Sequence, residues 1–160
     1  MASADPSGRV IVGCGSVIRN DDGYLLVQES KPVAGSRFNL PAGKPEVGET
    51  LVEAAVREAK EETGLDVEVD HLVGLYQCPL TSEGFGVVNF IFAARVVGGS
   101  ITTTLEHPVV RYFSRPEIAG LAEQGRLRGL HIDLAIDDCE RGQRLPLDTV
   151  RVLAASPLPS

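Results

Sequence analysis

The chain has 160 residues, of which 43% are hydrophobic and 23% are charged. A globular chain of this length buries about 70% of the surface that it exposes when unfolded, so we expect one domain with its own core rather than a disordered or fibrous protein. The formal net charge of −7 argues against a nucleic-acid-binding module, because such proteins neutralise phosphates with lysine and arginine.

The sequence carries no apolar run of the roughly 18 residues that a membrane-spanning helix needs. Residues 1–8 have neither the basic segment nor the apolar segment of a secretory signal. Cys14, Cys78 and Cys139 lie far apart without a metal-type spacing, as is typical of reduced thiols in a reducing compartment. We therefore expect a cytoplasmic protein with no membrane partner.

The N-terminal part of the chain predicts a β-hairpin followed by a loop and a short strand. Val and Ile dominate the first strand, and an Asn-Asp-Asp-Gly tetrapeptide is typical of the turn that follows it. The predicted elements are a strand at 9–18, a turn at 20–23, a strand at 24–27, a Pro/Gly loop at 31–36 and a short strand at 38–40.

Residues 50–63 form the clearest predicted helix. Thr50 and Glu53 have the spacing of a capping box at its start, and Gly64 stands where a helix ends. The apolar face, which should pack on a sheet, repeats at helical spacing. Its members are Val52, Ala55, Val56, Ala59 and Thr63.

The remaining chain alternates strands and helices. Residues 66–77 predict either a strand pair or one long bent strand, and the other elements are strands at 87–97 and 109–113 and helices at 116–122 and 130–138. This order predicts an α/β/α sandwich with a mixed sheet. We expect a single domain over 9–155, with flexible termini at 1–8 and 156–160.

Three carboxylates share one side of the predicted helix. Glu58 and Glu62 are four residues apart, and Glu61 lies three residues after Glu58. Like charges at these spacings repel one another, and burial in a cleft increases the repulsion unless a cation lies among them. A hard divalent cation such as Mg²⁺ prefers oxygen ligands of this kind, and Arg57 can pair with the carboxylates and orient them.

Taken alone, these glutamates are equally compatible with an exposed helix face, because Glu, Lys and Arg are good helix formers. The spacing around them is more specific. Gly43 is followed after five residues by Glu49, and seven further residues lead to a run from Arg57 to Leu65 that reads Arg-Glu-Ala-Lys-Glu-Glu-Thr-Gly-Leu. Chance agreement at so many fixed positions is remote.

This segment of 23 residues resembles the Nudix box, and the chain is similar to Nudix hydrolases. Ala59 is the one soft departure, at a position where the family more often carries a larger aliphatic residue. The resemblance implies an α/β/α sandwich and hydrolysis, dependent on Mg²⁺ or Mn²⁺, of a diphosphate linked to another group. The surrounding sequence is most similar to small broad-specificity nucleoside and thiamine-precursor phosphatases of the family.

The resemblance also implies roles for individual residues. The Gly43 carbonyl would join the carboxylates of Glu58, Glu61 and Glu62 in the metal site. Glu49 would assist a metal or orient the loop, and Arg57 would orient the glutamates. Many family members carry a later glutamate about six residues before an aromatic strand position, which Glu106 matches as a ligand or base; an exposed loop residue is the other interpretation. Which of the four glutamates Glu58, Glu61, Glu62 and Glu106 accepts a proton stays open.

Residues outside the box should determine the choice of substrate. Arg37, Phe38, Tyr76 and Arg111 can stack on a base or contact phosphate, although core or surface roles are also compatible with them. His71, His107 and His131 have no spacing that suggests a zinc site or a catalytic triad, so we expect structural or solvent-facing histidines.

Several functions remain compatible with the fold. We expect a hydrolase of a small nucleoside or cofactor diphosphate, with a homodimer possible. A catalytically silent nucleotide-binding or sensing domain would be favoured by loss of a box glutamate, and none is lost. A purely structural domain gives the acidic cluster no purpose, and diphosphate isomerase chemistry would require a cysteine motif that is absent from the sequence.

Overall fold

A computed structural model describes residues 8–30 and 35–154. The termini predicted to be flexible lie outside these ranges except for Gly8, as do residues 31–34 of the predicted loop. The described elements, in chain order, are β1 (Val10–Asn20), β2 (Gly23–Gln28), β3 (Phe38–Asn39), β4 (Ala42–Gly43), α1 (Leu51–Thr63), β5 (Leu65–Cys78), β6 (Gly86–Gly99), β7 (Val110–Phe113), α2 (Arg115–Glu123), α3 (His131–Glu140) and a 3₁₀ helix (Leu147–Thr149).

The seven strands form one mixed sheet, as predicted. Its order is β3-β2-β1-β6-β5, with β4 also pairing with β1 and β7 also pairing with β2. The long pairing between β1 and β6 is parallel, and the other pairings are antiparallel. This sheet fixes the position of both ends of the loop that precedes α1.

Helices cover both faces of the sheet, which confirms the α/β/α sandwich. Because successive side chains of a strand point to opposite faces, Val17 and Leu26 join the core beneath α2 and α3, whereas Ile18 and Leu25 join the core beneath α1. Ala54, Ala55 and Ala59 on α1 are fully buried. The small residue at position 59 therefore brings α1 close to the sheet.

Two of the three helices begin with complete capping boxes. Thr50 accepts a hydrogen bond from the Glu53 amide at the start of α1, and Ser114 and Glu117 cap α2 in the same way. The α1 helix ends at Gly64, whose positive φ of 79° suits glycine at this position. The box helix is thus fixed at both of its ends.

Two of the observed elements were not predicted, and one prediction with two alternatives is resolved. Residues 65–78 form one strand with register shifts, as in the second of the two alternatives, one long bent strand. The two-residue β4 and the 3₁₀ helix carry no propensity signal of their own. No helix within residues 8–30 and 35–154 is long and apolar enough to cross a membrane.

Candidate active site

The loop that joins β4 to α1 is held between a strand pairing and a helix cap. Gly43 pairs with Cys14, and Ala42 pairs with Gly15, in the antiparallel contact of β4 with β1. At the other end of the loop, Thr50 caps α1. Both ends of the loop are therefore fixed relative to the carboxylates that α1 carries.

Arg57 is the centre of a network that joins this loop to α1. Its Nε and Nη2 atoms donate hydrogen bonds of 2.7 and 3.0 Å to the two carboxylate oxygens of Glu49. Its Nη1 atom donates to Glu58 at 2.8 Å and to Glu61 at 3.2 Å, and Nη2 also donates to the Lys44 carbonyl at 3.1 Å. These contacts, the one with Glu49 first, raise the pKa of Arg57 above its ordinary value.

The Glu49 side chain binds both to the backbone of its own loop and to Arg57 on α1. Its Oε2 atom accepts a hydrogen bond of 2.9 Å from the Glu46 amide, in addition to the paired bonds from Arg57. The bond from Arg57, followed by the one from the Glu46 amide, lowers the pKa of Glu49. Glu49 is thus an anchor of the loop whose charged form is favoured by its hydrogen bonds.

The Glu58 carboxylate lies directly against the backbone of Gly43. A Cβ atom at position 43 would stand 2.2 Å from both Cδ and Oε1 of Glu58, far inside van der Waals contact. Only glycine leaves room for the carboxylate in this position. The fold therefore brings together Gly43 and Glu58, two of the residues that the sequence singled out.

Glu62 is the most deeply buried carboxylate of the cluster. Only 8% of the residue is exposed, and its Oε2 atom accepts a 3.4 Å hydrogen bond from the Ala42 amide. Burial, followed by the negative charge of Glu58, raises the pKa of Glu62 to about 9, and Glu29 adds to the shift. The cluster thus holds more negative charge than its surroundings neutralise.

His107 lies beside Glu62, although the sequence suggested only a structural or solvent-facing histidine. Its Nε2 atom is 3.8 Å from Oε1 of Glu62, and its side chain is 12% exposed. Glu29, whose charge acts on Glu62, was also missed. The one signal that could have found His107 is its place next to Glu106, which the sequence did single out.

Glu106 itself is an exposed residue of the loop that leads into β7. The backbone of this loop is tied to the end of β2, because Ser30 donates through its amide to the Glu106 carbonyl at 3.0 Å and through its hydroxyl to the Leu105 carbonyl at 2.8 Å. Since His107 contacts Glu62, the loop borders the carboxylate cluster. The structure thus brings Glu106 to the rim of the site.

Phe38 and Tyr76 lie apart from the α1 carboxylates, in contrast to their predicted contact with substrate. Phe38 is 5% exposed and packs edge-to-face on Phe113, with ring centroids 5.0 Å apart. Tyr76 packs against the same core and donates a 2.7 Å hydrogen bond to Asp138 of α3. Both side chains therefore serve the sheet face opposite α1.

Arg111 also faces away from α1, whereas Arg37 lies on the loop that precedes β3. The Arg111 guanidinium lies 3.7 Å above the Phe113 ring centroid and donates a 3.1 Å hydrogen bond to Glu117 of α2. The backbone carbonyl of Arg37 accepts a hydrogen bond from the Glu29 amide.

The chemistry of the cluster suits a divalent cation. Within the described ranges, no three His, Cys, Asp or Glu side chains converge closely enough to form a complete metal cage, because Glu58 and Glu61 accept from Arg57 while Glu62 accepts from Ala42. The donors are nevertheless all oxygens, the type that Mg²⁺ prefers. The mutual repulsion of Glu58 and Glu62, together with the side-chain-free face of Gly43, fits a cation at this position.

The thiol that lies beside the loop is not suited to act as a nucleophile in covalent chemistry. Cys14, the cysteine nearest the loop, is fully buried. Burial, followed by the charges of Glu49 and Glu58, raises the pKa of the Cys14 thiol to about 11. A thiol held protonated in this way is a poor nucleophile.

Comparison with known proteins places these features in a family. The family model of the NUDIX domain matches residues 9–131. The chain is 33% identical over 111 residues to an ADP-ribose pyrophosphatase of Methanocaldococcus jannaschii, covering 69% of this chain and 66% of that protein. It is 32% identical over 146 residues to phosphatase NudJ of Escherichia coli, covering 88% and 89%.

A solved structure agrees over nearly the whole chain. A NUDIX hydrolase from Nitrosomonas europaea superposes with a TM-score of 0.82 at 32% identity, covering 91% of this chain and 98% of that one. The aligned segment is a smaller part of five of the relatives. It covers 66% of the Methanocaldococcus jannaschii protein and 25% to 27% of four longer relatives. The chain therefore spans less than two thirds of those relatives.

Proposed function

Since the chain belongs to the Nudix family, we propose that it is a divalent-metal-dependent pyrophosphohydrolase that cleaves the diphosphate linkage of a nucleoside diphosphate derivative. The observation that carries the proposal is the cluster of Glu58, Glu61 and Glu62, packed against Gly43 and ordered by Arg57. A silent or purely structural domain would not require every one of these residues.

We assign the metal site to the Gly43 carbonyl and to the carboxylates of Glu58, Glu61 and Glu62. When bound, Mg²⁺ or Mn²⁺ would neutralise the charge that develops on the diphosphate oxygens and lower the pKa of the attacking water. Arg57 fixes the direction of the Glu58 and Glu61 carboxylates through its hydrogen bonds. Burial gives Glu62 a low-dielectric environment in which its charge acts strongly on a nearby cation.

The remaining residues hold the loop and accept the proton. Glu49 and Arg57 lock the loop to the helix, so that Gly43 keeps its distance from the carboxylates. A glutamate of the metal set or Glu106 accepts the proton of the attacking water as a general base. Glu106 is exposed on the loop that borders the cluster, which places it within the region that we assign to the substrate.

Two further observations support a diphosphate substrate. The chain has a net charge of −7, so an anionic substrate requires a local source of positive charge, which a divalent cation supplies. The relatives called ADP-ribose pyrophosphatase and phosphatase NudJ carry names that agree with a phosphoric anhydride as the bond cleaved. A small nucleoside or cofactor diphosphate is the substrate class that we propose.

A substrate panel tests the proposal. Phosphate and pyrophosphate release is measured from nucleoside di- and triphosphates, dinucleoside polyphosphates, nucleotide sugars and cofactor diphosphates, with Mg²⁺, with Mn²⁺ and with chelator. We expect turnover of at least one class that the chelator abolishes. Glu62→Gln should lose this activity, whereas the control Glu123→Gln on the exposed end of α2 should keep it. Silence of the folded protein across the panel would contradict the proposal and favour a sensing domain.

A further inference from the structure

We propose that His107 is a positioning residue that holds the Glu62 carboxylate in the orientation needed to bind the metal ion. The inference rests on the proposed function, because it assigns Glu62 to the metal site. It adds a residue outside the box, on the loop between β6 and β7, that acts on the metal through another side chain.

The two oxygens of Glu62 face two different donors. Oε2 accepts from the Ala42 amide at 3.4 Å, and Oε1 faces Nε2 of His107 at 3.8 Å. The second distance is about 1 Å longer than a charge-assisted N–H···O bond, so the two groups face each other without a hydrogen bond in this structure. With 10% and 12% of the two side chains exposed, little water competes for the contact, and a shift of about 1 Å brings the imidazole within bonding distance of Oε1.

The backbone around His107 is anchored on the end of α1. The Thr102 amide donates a 2.9 Å hydrogen bond to the carbonyl of Thr63, the residue that follows Glu62. The His107 amide donates to the Thr104 hydroxyl at 3.0 Å, and the Thr104 amide donates to the His107 carbonyl at 3.1 Å. The loop therefore returns His107 to the same helical turn that carries Glu62.

Gly64 makes this close return possible. A Cβ atom at position 64 would stand 2.5 Å from the Ser100 carbonyl oxygen and 2.5 Å from the Thr102 hydroxyl oxygen. The glycine that ends α1 therefore serves a second purpose, since it lets the loop pack on the helix end. The placement of His107 beside Glu62 follows from this packing.

A hydrogen-bond donor in a fixed position would hold the Glu62 carboxylate in one orientation. Glu62 is buried close to Glu58, and the repulsion between the two charges favours turning one carboxylate away from the other. Hydrogen bonds from residues behind a ligand oppose such rotation, and their removal typically weakens metal binding about 10- to 100-fold. The imidazole of His107 is placed to supply such a bond.

The test measures binding of Mn²⁺ alone, by loss of the six-line electron paramagnetic resonance signal of the free ion. Wild type is compared with His107→Leu, His107→Phe and His107→Gln, of which Gln keeps an N–H donor at a similar reach. His71→Leu on β5 is the matched control, since it removes another partly buried histidine. The two apolar variants differ in shape, so the test survives if one of them misfolds.

We expect the apolar variants to bind Mn²⁺ at least tenfold more weakly, with His107→Gln within about threefold of wild type and His71→Leu unchanged. Wild-type affinity in both apolar variants would overturn the proposal. Equal weakening in the Gln variant, accompanied by a lower melting temperature, would also overturn it in favour of a structural role. The His107 proposal and the proposed function fail in different ways. If the wild-type protein hydrolyses the panel substrates with Mn²⁺ but the His107 variants bind Mn²⁺ as tightly as wild type, only the role of His107 is wrong. If the wild-type protein binds no Mn²⁺, the proposed function itself is wrong.

Discussion

Gly43→Ala separates the catalytic role of the glycine from its structural role. The added Cβ would lie 2.2 Å from Oε1 of Glu58, whereas ordinary contact begins at 3.4 Å, so the carboxylate must move by about 1.2 Å. The displaced group is the end of a flexible side chain, and Arg57 keeps its paired bonds to Glu49. We therefore expect a stability loss of only about 1 kcal/mol, or a melting temperature lower by about 2–4 °C.

The same displacement should be costly for catalysis. Misplacing a catalytic group by about 1 Å costs on the order of 100-fold in rate, equivalent to about 2.7 kcal/mol in the barrier. Steady-state kinetics on the panel substrate and a thermal melt measure both effects in one preparation. The expected result is a kcat lower by about 100-fold in a protein that melts almost normally.

Gly120→Ala is the matched control for this prediction. Gly120 lies in α2, where an added Cβ would meet nothing within 4 Å. Alanine in a helix is favoured over glycine by roughly 0.5–1 kcal/mol, so this variant should melt slightly higher with unchanged kcat. A Gly43→Ala protein with wild-type kcat would refute the contact between Gly43 and Glu58 in the active state. A Gly43→Ala protein that unfolds would refute the assumption that the Glu58 carboxylate moves aside to admit the new Cβ atom.

The remaining predictions concern three other side chains. Glu62→Gln should lower kcat about 10³-fold without lowering the metal-free melting temperature, because burial already favours the neutral form of the Glu62 carboxyl and the amide is neutral and of similar shape; a kcat near wild type would remove Glu62 from the metal site. Arg57→Lys keeps the charge but loses the paired bonds to Glu49, so kcat should fall about tenfold or more, and unchanged kinetics would contradict the orienting role. Burial lowers the pKa of His131 from 6.5 to about 4, so between these values the unfolded chain binds a proton that the folded chain does not. The free energy of unfolding therefore falls as pH falls through 6.5, by up to about 2 kcal/mol at pH 4.5. Urea melts at the two pH values should show a smaller loss for His131→Gln than for wild type. Equal losses in the two proteins would contradict the claim that His131 is buried in its neutral form.

Local signals predicted most of the elements. The capping box at Thr50 and the glycine after α1 act within a few residues, so their patterns are visible in the sequence. Pairings between distant segments are not. The two residues of β4 form a strand because β1 lies beside them, and β5 remains one strand because register shifts let it bend along β6.

The same distinction explains the outcome at the site. Glu58, Glu61 and Glu62 lie on one helix, where helical spacing alone places them on one side. His107 reaches Glu62 only through the return of a distant loop onto the end of α1, and its place next to Glu106 is the one local signal of this contact. Tyr76 shows the converse, because its partner Asp138 belongs to α3 and binds it on the other face of the sheet.

Hydrolysis in ¹⁸O-enriched water tests the central claim most directly, since the proposed chemistry is attack of water on phosphorus at a metal-dependent centre. Phosphorus NMR of the products should show one ¹⁸O atom per turnover in a phosphate product, with Mg²⁺ or Mn²⁺ present and not with chelator. Turnover that ignores the chelator, or products without ¹⁸O on phosphorus, would contradict the account.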